Sequence, residues 1–142
     1  MEEGQTKVDE KTDKSLPSEE LESALMYAMD TFDAAQLEFF LMGKTAEQIY
    51  KGEWLQGNKI ELGVKSNWLS THILDMLKIV EPTIDIGDRK IIIECNGVPI
   101  EIKIIKLHYR VLDNLDTIDY AYESFLIPNP FEAFLVSGRF MH

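Results

Sequence analysis

The stretch Gly57-Asn-Lys-Ile-Glu-Leu-Gly-Val64 decides how the chain is read, because its alternation gives a short strand with two unlike faces. Ile60, Leu62 and Val64 fall on one face by the period of two, and Lys59, Glu61 and Gly63 on the other. The first face requires a core. The second, with an ammonium, a carboxylate and a bare glycine, is expected to look at water or at a ligand.

Working outward, Phe39 to Met42 is an apolar run of strand length ended by Gly43, and TAEQIYKG (45–52) has helical composition and stops at Gly52. Glu53 to Asn58 is a loop, with Trp54 and Leu55 expected to fold back on the core. Upstream, Pro17 and Ser18 open a helix with Glu19 and Glu20 in its first turn, where the helix dipole favours acids. Leu21, Ala24, Leu25, Ala28 and Phe32 form its apolar stripe to about Ala35.

Downstream, Ser66 to Val80 carries a helix with Ser70 as cap and Ile73, Leu74, Leu77 and Val80 as its buried stripe. Pro82 closes it. Ile84 to Ile86 is a short strand, and Lys90 to Cys95 runs into Asn96-Gly97, a strong two-residue hairpin signal, with Val98 to Leu107 returning. That turn sets the register: Cys95 opposite Val98, Ile93 opposite Ile100, Ile92 opposite Glu101 and Ile91 opposite Ile102. Cys95, the odd isoleucines 91 and 93, Val98, Ile100, Ile102 and Ile104 then share the core face. Glu94, Pro99, Glu101 and Lys103 share the open one. Asp113 to Phe125 is only weakly amphipathic, Pro128 and Pro130 break it, and 131–140 has the composition of one last short helix.

Composition bounds the class. With 142 residues and 45% hydrophobic content the chain can bury one sizeable core, so one domain is expected over residues 17–142, behind a flexible acidic leader, residues 1–16. The net charge is −11, and residues 1–30 hold nine acidic against three basic side chains. A duplex nucleic acid is a poor partner for such a surface, whereas a phosphorylated small molecule held by a few local cations is admissible. The single cysteine, Cys95, forms no internal disulfide, and no apolar run has the length of a membrane span or joins a basic region as a signal peptide would. A cytoplasmic protein away from membranes is expected.

Three segments carry a family resemblance. FLMGKTAEQIY (40–50) resembles the glycine motif of the polymerase-beta-like nucleotidyltransferase superfamily, NKIELGV (58–64) its paired-acid strand and VPIEIKII (98–105) the strand with its third acid. IPNPFEAFL (127–135) is similar to the segment that follows this core in small bacterial members related to antibiotic-modifying and antitoxin nucleotidyltransferases. The resemblance implies an α/β (α+β) fold, a mixed sheet with helices packed on one face. It also implies an activity in which three carboxylates hold two Mg²⁺ ions on a nucleoside triphosphate while a glycine turn lets backbone approach the phosphates.

Carried over, Glu61 matches the second acid, Glu101 the third and Gly43 the turn glycine, making Glu61 and Glu101 the catalytic and metal-ligand candidates. Lys59 stands where the first acid belongs, and a lysine repels a divalent cation. Lys44 replaces the usual small residue of the phosphate turn. Asn58 is a candidate substitute ligand for the missing acid, and Glu94 for the third. Gly43, Lys44, Thr45 and Lys59 are the candidates for contact with a nucleotide. Gly43-Lys44-Thr45 also looks like the tail of a P-loop, but the glycine that motif needs five positions earlier is Glu38.

The resulting expectation is a diverged nucleotidyltransferase-like protein that binds a nucleotide or phosphorylated small molecule and transfers a nucleotidyl group, if at all, with altered Mg²⁺ dependence. The alternative is an inactive module of the same fold that binds a protein partner, with Glu61 and Glu101 as no more than solvated strand residues. A charged cleft on the open face favours the first, a flat apolar patch the second.

Overall fold

The structure, a computed structural model, describes residues 15–106 and 115–128. Its centre is a seven-stranded mixed sheet: β1 (Phe40–Leu41), β2 (Ile60–Lys65), β3 (Asp85–Ile86), β4 (Lys90–Cys95), β5 (Val98–Ile105), β6 (Leu115–Tyr120) and β7 (Glu123–Pro128). The spatial order is β3-β4-β5-β2-β1-β7-β6. β2 runs parallel to β5, and β1 parallel to β7, while the other neighbours are antiparallel. Three helices complete the α+β architecture: α1 (Ser18–Ala34), α2 (Gly43–Tyr50) and α3 (Thr71–Val80).

One face of the sheet carries the main core. Ile60, Leu62 and Val64 of β2, Ile91 and Ile93 of β4, and Ile100 and Ile102 of β5 are buried in one cluster with Leu21, Leu25 and Phe32 of α1, Ala46 and Ile49 of α2, and Leu77 of α3. α1 lies over β5, β4 and β2 because its stripe repeats at the helical period, and it closes cleanly: Gln36 takes the left-handed φ of 61°, and Leu37 N donates to Phe32 O at 2.9 Å. Ser70 caps α3, its hydroxyl accepting from Ile73 N at 3.1 Å. The helix begins there because Ser66–Trp68 forms a separate 3-10 turn, and only Leu77 of the expected stripe is fully buried. The β4–β5 hairpin has the expected register, with Asn96 and Gly97 at φ 50° and 86°.

Four expectations are corrected. The opposite face is not uniformly open: Phe40, Met42 and Ile105 form a second buried cluster there. Gly63 lies beneath it, since a Cβ at that position would sit 2.4 Å from Met42 Sδ and 2.5 Å from Phe40 Cε1. Its missing side chain makes room for packing, not for a ligand. Asp113 to Phe125 contributes to a hairpin over its described part, with β6 and β7 joined through Ala121 and Tyr122 at φ 53° and 69°. Trp54 is 74% exposed, while Leu55 alone folds inward. The leader does not extend to residue 16, because Leu16 N donates to Gly57 O at 2.8 Å and its side chain packs on the core. The last expected helix and most of IPNPFEAFL lie outside the described residues.

Among the described residues, no helix is long and apolar enough to cross a membrane.

Candidate functional site

The site forms where β1 turns into α2 beside β2. Helix α2 begins after Met42, which offers no side-chain cap, so its first-turn amides need an acceptor from elsewhere. Glu61 of the neighbouring strand supplies it: Lys44 N donates to Glu61 Oε1 at 2.8 Å, a carboxylate at the positive end of the helix. The backbone of Glu61 is held as well. Its N–H donates to Thr45 Oγ1 at 2.9 Å, and its carbonyl accepts from Met42 N at 3.1 Å. Gly43 makes this close approach feasible, with φ +54° and its would-be Cβ only 1.6 Å from Glu61 Oε1.

β2 and β5 are parallel and in register at Glu61 and Glu101, so both carboxylates leave the same face side by side. Two like charges in that position repel unless a cation joins them. Lys59 does so, with Nζ 2.9 Å from Glu101 Oε1 and 3.6 Å from Glu61 Oε2. Lys90 of β4 takes the other oxygen of Glu101, at 2.9 Å from Oε2. The two carboxylates thus use all four oxygens on Lys44 N, Lys59 and Lys90, and the four side chains are neutral together.

This network holds both ends of the Lys59–Glu101 pair in the charged form. The hydrogen bond to Glu101 raises the Lys59 pKa, outweighing the opposing effect of burial. Burial pushes Glu101 upward, but hydrogen bonds from Lys90 and Lys59 and their charges prevail and leave it below its ordinary range. A carboxylate depressed in the folded state contributes stability that is present above its unfolded pKa of about 4.3 and is lost as pH falls through the lower folded value. Glu101→Gln should therefore be destabilising near neutral pH and progressively less so in acid. Urea midpoints of both proteins between pH 7 and pH 3 check this; a difference independent of pH would show that Glu101 is not held ionised by the lysines.

Beside the network lies a cleft of about 260 Å³ lined by Lys44, Glu47, Gln56, Gly57, Asn58, Lys59 and Glu61. Its loop wall is braced by Gln56 N donating to Gln48 Oε1 at 2.9 Å and by the Leu16–Gly57 bond. On the other side of Lys59 is a larger groove of about 860 Å³, which includes Glu101, Lys90, Arg89, Lys103 and Lys106. Lys59 is common to both.

Of the residues singled out from the sequence, Lys44, Asn58, Lys59 and Glu61 meet in the cleft, and Glu101 joins them through Lys59. Gly43 and Thr45 do not face it. Both are buried, Gly43 under the Glu61 carboxylate and Thr45 with its hydroxyl accepting from the β2 backbone. Glu94 pairs in the ladder with Pro99 and has no part in the ion network. Lys90 is the member that the sequence reading missed. Its signal was available, because with Ile92 opposite Glu101, Lys90 lies on the diagonal of the same face, within reach of a long side chain.

A pair of Mg²⁺ ions does not fit this donor set. Among the described residues Glu61 and Glu101 are the carboxylates that meet at Lys59, and its ammonium already contacts both. Among the described residues no group of three or more His, Cys, Asp or Glu side chains is arranged to hold a metal ion.

Neither a protein-family model nor a curated protein sequence matches the chain.

Proposed function

We propose that the chain is a diverged nucleotidyltransferase-like protein that binds a nucleotide or a phosphorylated small molecule, with the Lys59 ammonium standing in for a metal cation. The observation that carries this reading is the placement of Lys59 Nζ between Glu61 and Glu101, at the junction of cleft and groove. A fixed cation there, together with Lys90, neutralises the paired acids, so that they no longer repel a phosphate brought to the cleft or the groove. The cleft alone, at about 260 Å³, lies below the roughly 300–1,000 Å³ usual for small-molecule sites. A nucleotide would occupy it in part and continue past Lys59. The charged lining supports this reading over that of a flat protein-binding face.

A thermal-shift screen of nucleoside triphosphates, in EDTA and in Mg²⁺, tests it. At least one nucleotide should raise the unfolding temperature in EDTA, with Mg²⁺ adding little; saturation at a hundred times Kd corresponds to about 2.7 kcal/mol. Tight binding of Mg²⁺ to the wild-type protein would contradict the role given to Lys59. If no nucleotide or sugar phosphate shifts the transition, the protein-binding reading takes precedence. What favours that second reading is the exposure of Tyr50 and Trp54, at 56% and 74%, around the end of α2.

A further inference from the structure

The groove beyond Lys59 concentrates positive charge in a chain whose net charge is −11. Lys59, Arg89, Lys90, Lys103 and Lys106 line it against only Asp88 and Glu101, an excess of three cations. Glu101 is already engaged by Lys59 and Lys90, while among the described residues Arg89, Lys103 and Lys106 belong to no ion pair. The fold does not keep these charges apart. Lys90 and Lys103 are direct cross-strand partners, an arrangement that repels, and their positions are fixed by the hairpin register.

The backbone also brings Arg89 to the same rim. Ile104 N donates to Arg89 O at 2.8 Å, which ties the 87–89 turn to the far end of β5, and Gly87 N donates to Lys90 O at 2.9 Å, which closes the turn onto the start of β4. The result is several converging donors, one of them a guanidinium able to take two oxygens at once, with mutual repulsion that an anion would relieve.

We infer that this groove is a binding site for the phosphate chain of a small oligophosphate ligand, with Arg89, Lys103 and Lys106 as its principal contacts. Its volume of about 860 Å³ suits a compact ligand. An extended nucleic acid would have to run against the acidic remainder of the surface. The inference deepens the ligand-binding reading above, supplying the place where a nucleotide continues past Lys59, but the groove's affinity for anions can be measured without reference to the cleft.

The test is isothermal titration calorimetry with sodium tripolyphosphate in EDTA, comparing wild type, Arg89→Gln/Lys103→Gln and the cleft variant Lys44→Gln, each first shown to fold by circular dichroism. Wild type should bind tripolyphosphate at least about tenfold more tightly than orthophosphate, and more weakly as salt is raised. Each lost charge-assisted bond corresponds to roughly tenfold, so the double variant should weaken binding about 100-fold while Lys44→Gln stays within about twofold. No binding by wild type, or a loss caused by Lys44→Gln and not by the double variant, would overturn the inference. So would tighter binding of a short single-stranded oligonucleotide than of tripolyphosphate. If tripolyphosphate binds as described and no nucleotide shifts the unfolding temperature, the groove stands and the nucleotide reading fails.

Discussion

Replacing Gly43 by alanine is expected to destabilise the protein by about 2–4 kcal/mol, more than most single substitutions so small. Two effects combine. The residue sits at φ +54°, where a side chain costs roughly 1–3 kcal/mol, and the new methyl would lie 1.6 Å from Glu61 Oε1 and 2.7 Å from its Cδ. The carboxylate must therefore move, abandoning Lys44 N and its contact with Lys59, and a charge-assisted bond of this kind is worth about 1.5–3 kcal/mol. Urea denaturation measures the total. The separate contributions come from repeating Gly43→Ala in a Glu61→Ala background, where the clash with the carboxylate is gone and only the backbone strain of roughly 1–3 kcal/mol remains. Equal losses in both backgrounds would mean that Glu61 does not occupy the turn, and the site described here would lose its centre.

The same residues show how far the sequence could be read. The Asn96-Gly97 turn was decisive, since a two-residue loop leaves one register, and the parity of β5 then placed Glu101 on the face that Glu61 occupies in β2. What pairing rules do not convey is which face a third element covers. Gly63 has the parity of Glu61, yet Phe40 and Met42 close over it, because β1 is only two residues long and sends its aromatic ring across the sheet. The β6–β7 hairpin escaped for a different reason. Its turn uses Ala121 and Tyr122 in left-handed conformations, without the glycine or asparagine that marks such turns, and its strands bury too little on β6 to alternate visibly. Trp54 and Leu55 are adjacent and similarly apolar, and only tertiary packing decides that Leu55 is buried and Trp54 exposed.

Lys90 bears on the most demanding prediction, which concerns Lys59→Asp. Lys59, Lys90, Glu61 and Glu101 are neutral together, so the site attracts no divalent ion; Lys59→Asp changes the sum to about −2, and adding Lys90→Gln to about −3, the charge of a three-acid metal site. Without metal, both variants should be less stable than wild type by about 1–2 kcal/mol, since carboxylates that shared an ammonium then repel one another. With millimolar Mg²⁺ or Mn²⁺ the order should reverse. The wild-type unfolding temperature should not change, Lys59→Asp should rise by several degrees, and Lys59→Asp/Lys90→Gln should rise further, because Lys90 otherwise keeps one oxygen of Glu101. Adding Glu101→Ala to Lys59→Asp should abolish the response. The parallel register of β2 and β5 is what makes this expectation specific, since a carboxylate at position 59 would join two others already side by side. If the double variant folds and still shows no response to either ion, the three strands do not present a metal site even when its charges are restored. The resemblance to nucleotidyltransferases would then rest on short sequence motifs alone, and the neutral network of Lys59, Glu61, Lys90 and Glu101 would be a structural clasp holding β2, β4 and β5 together.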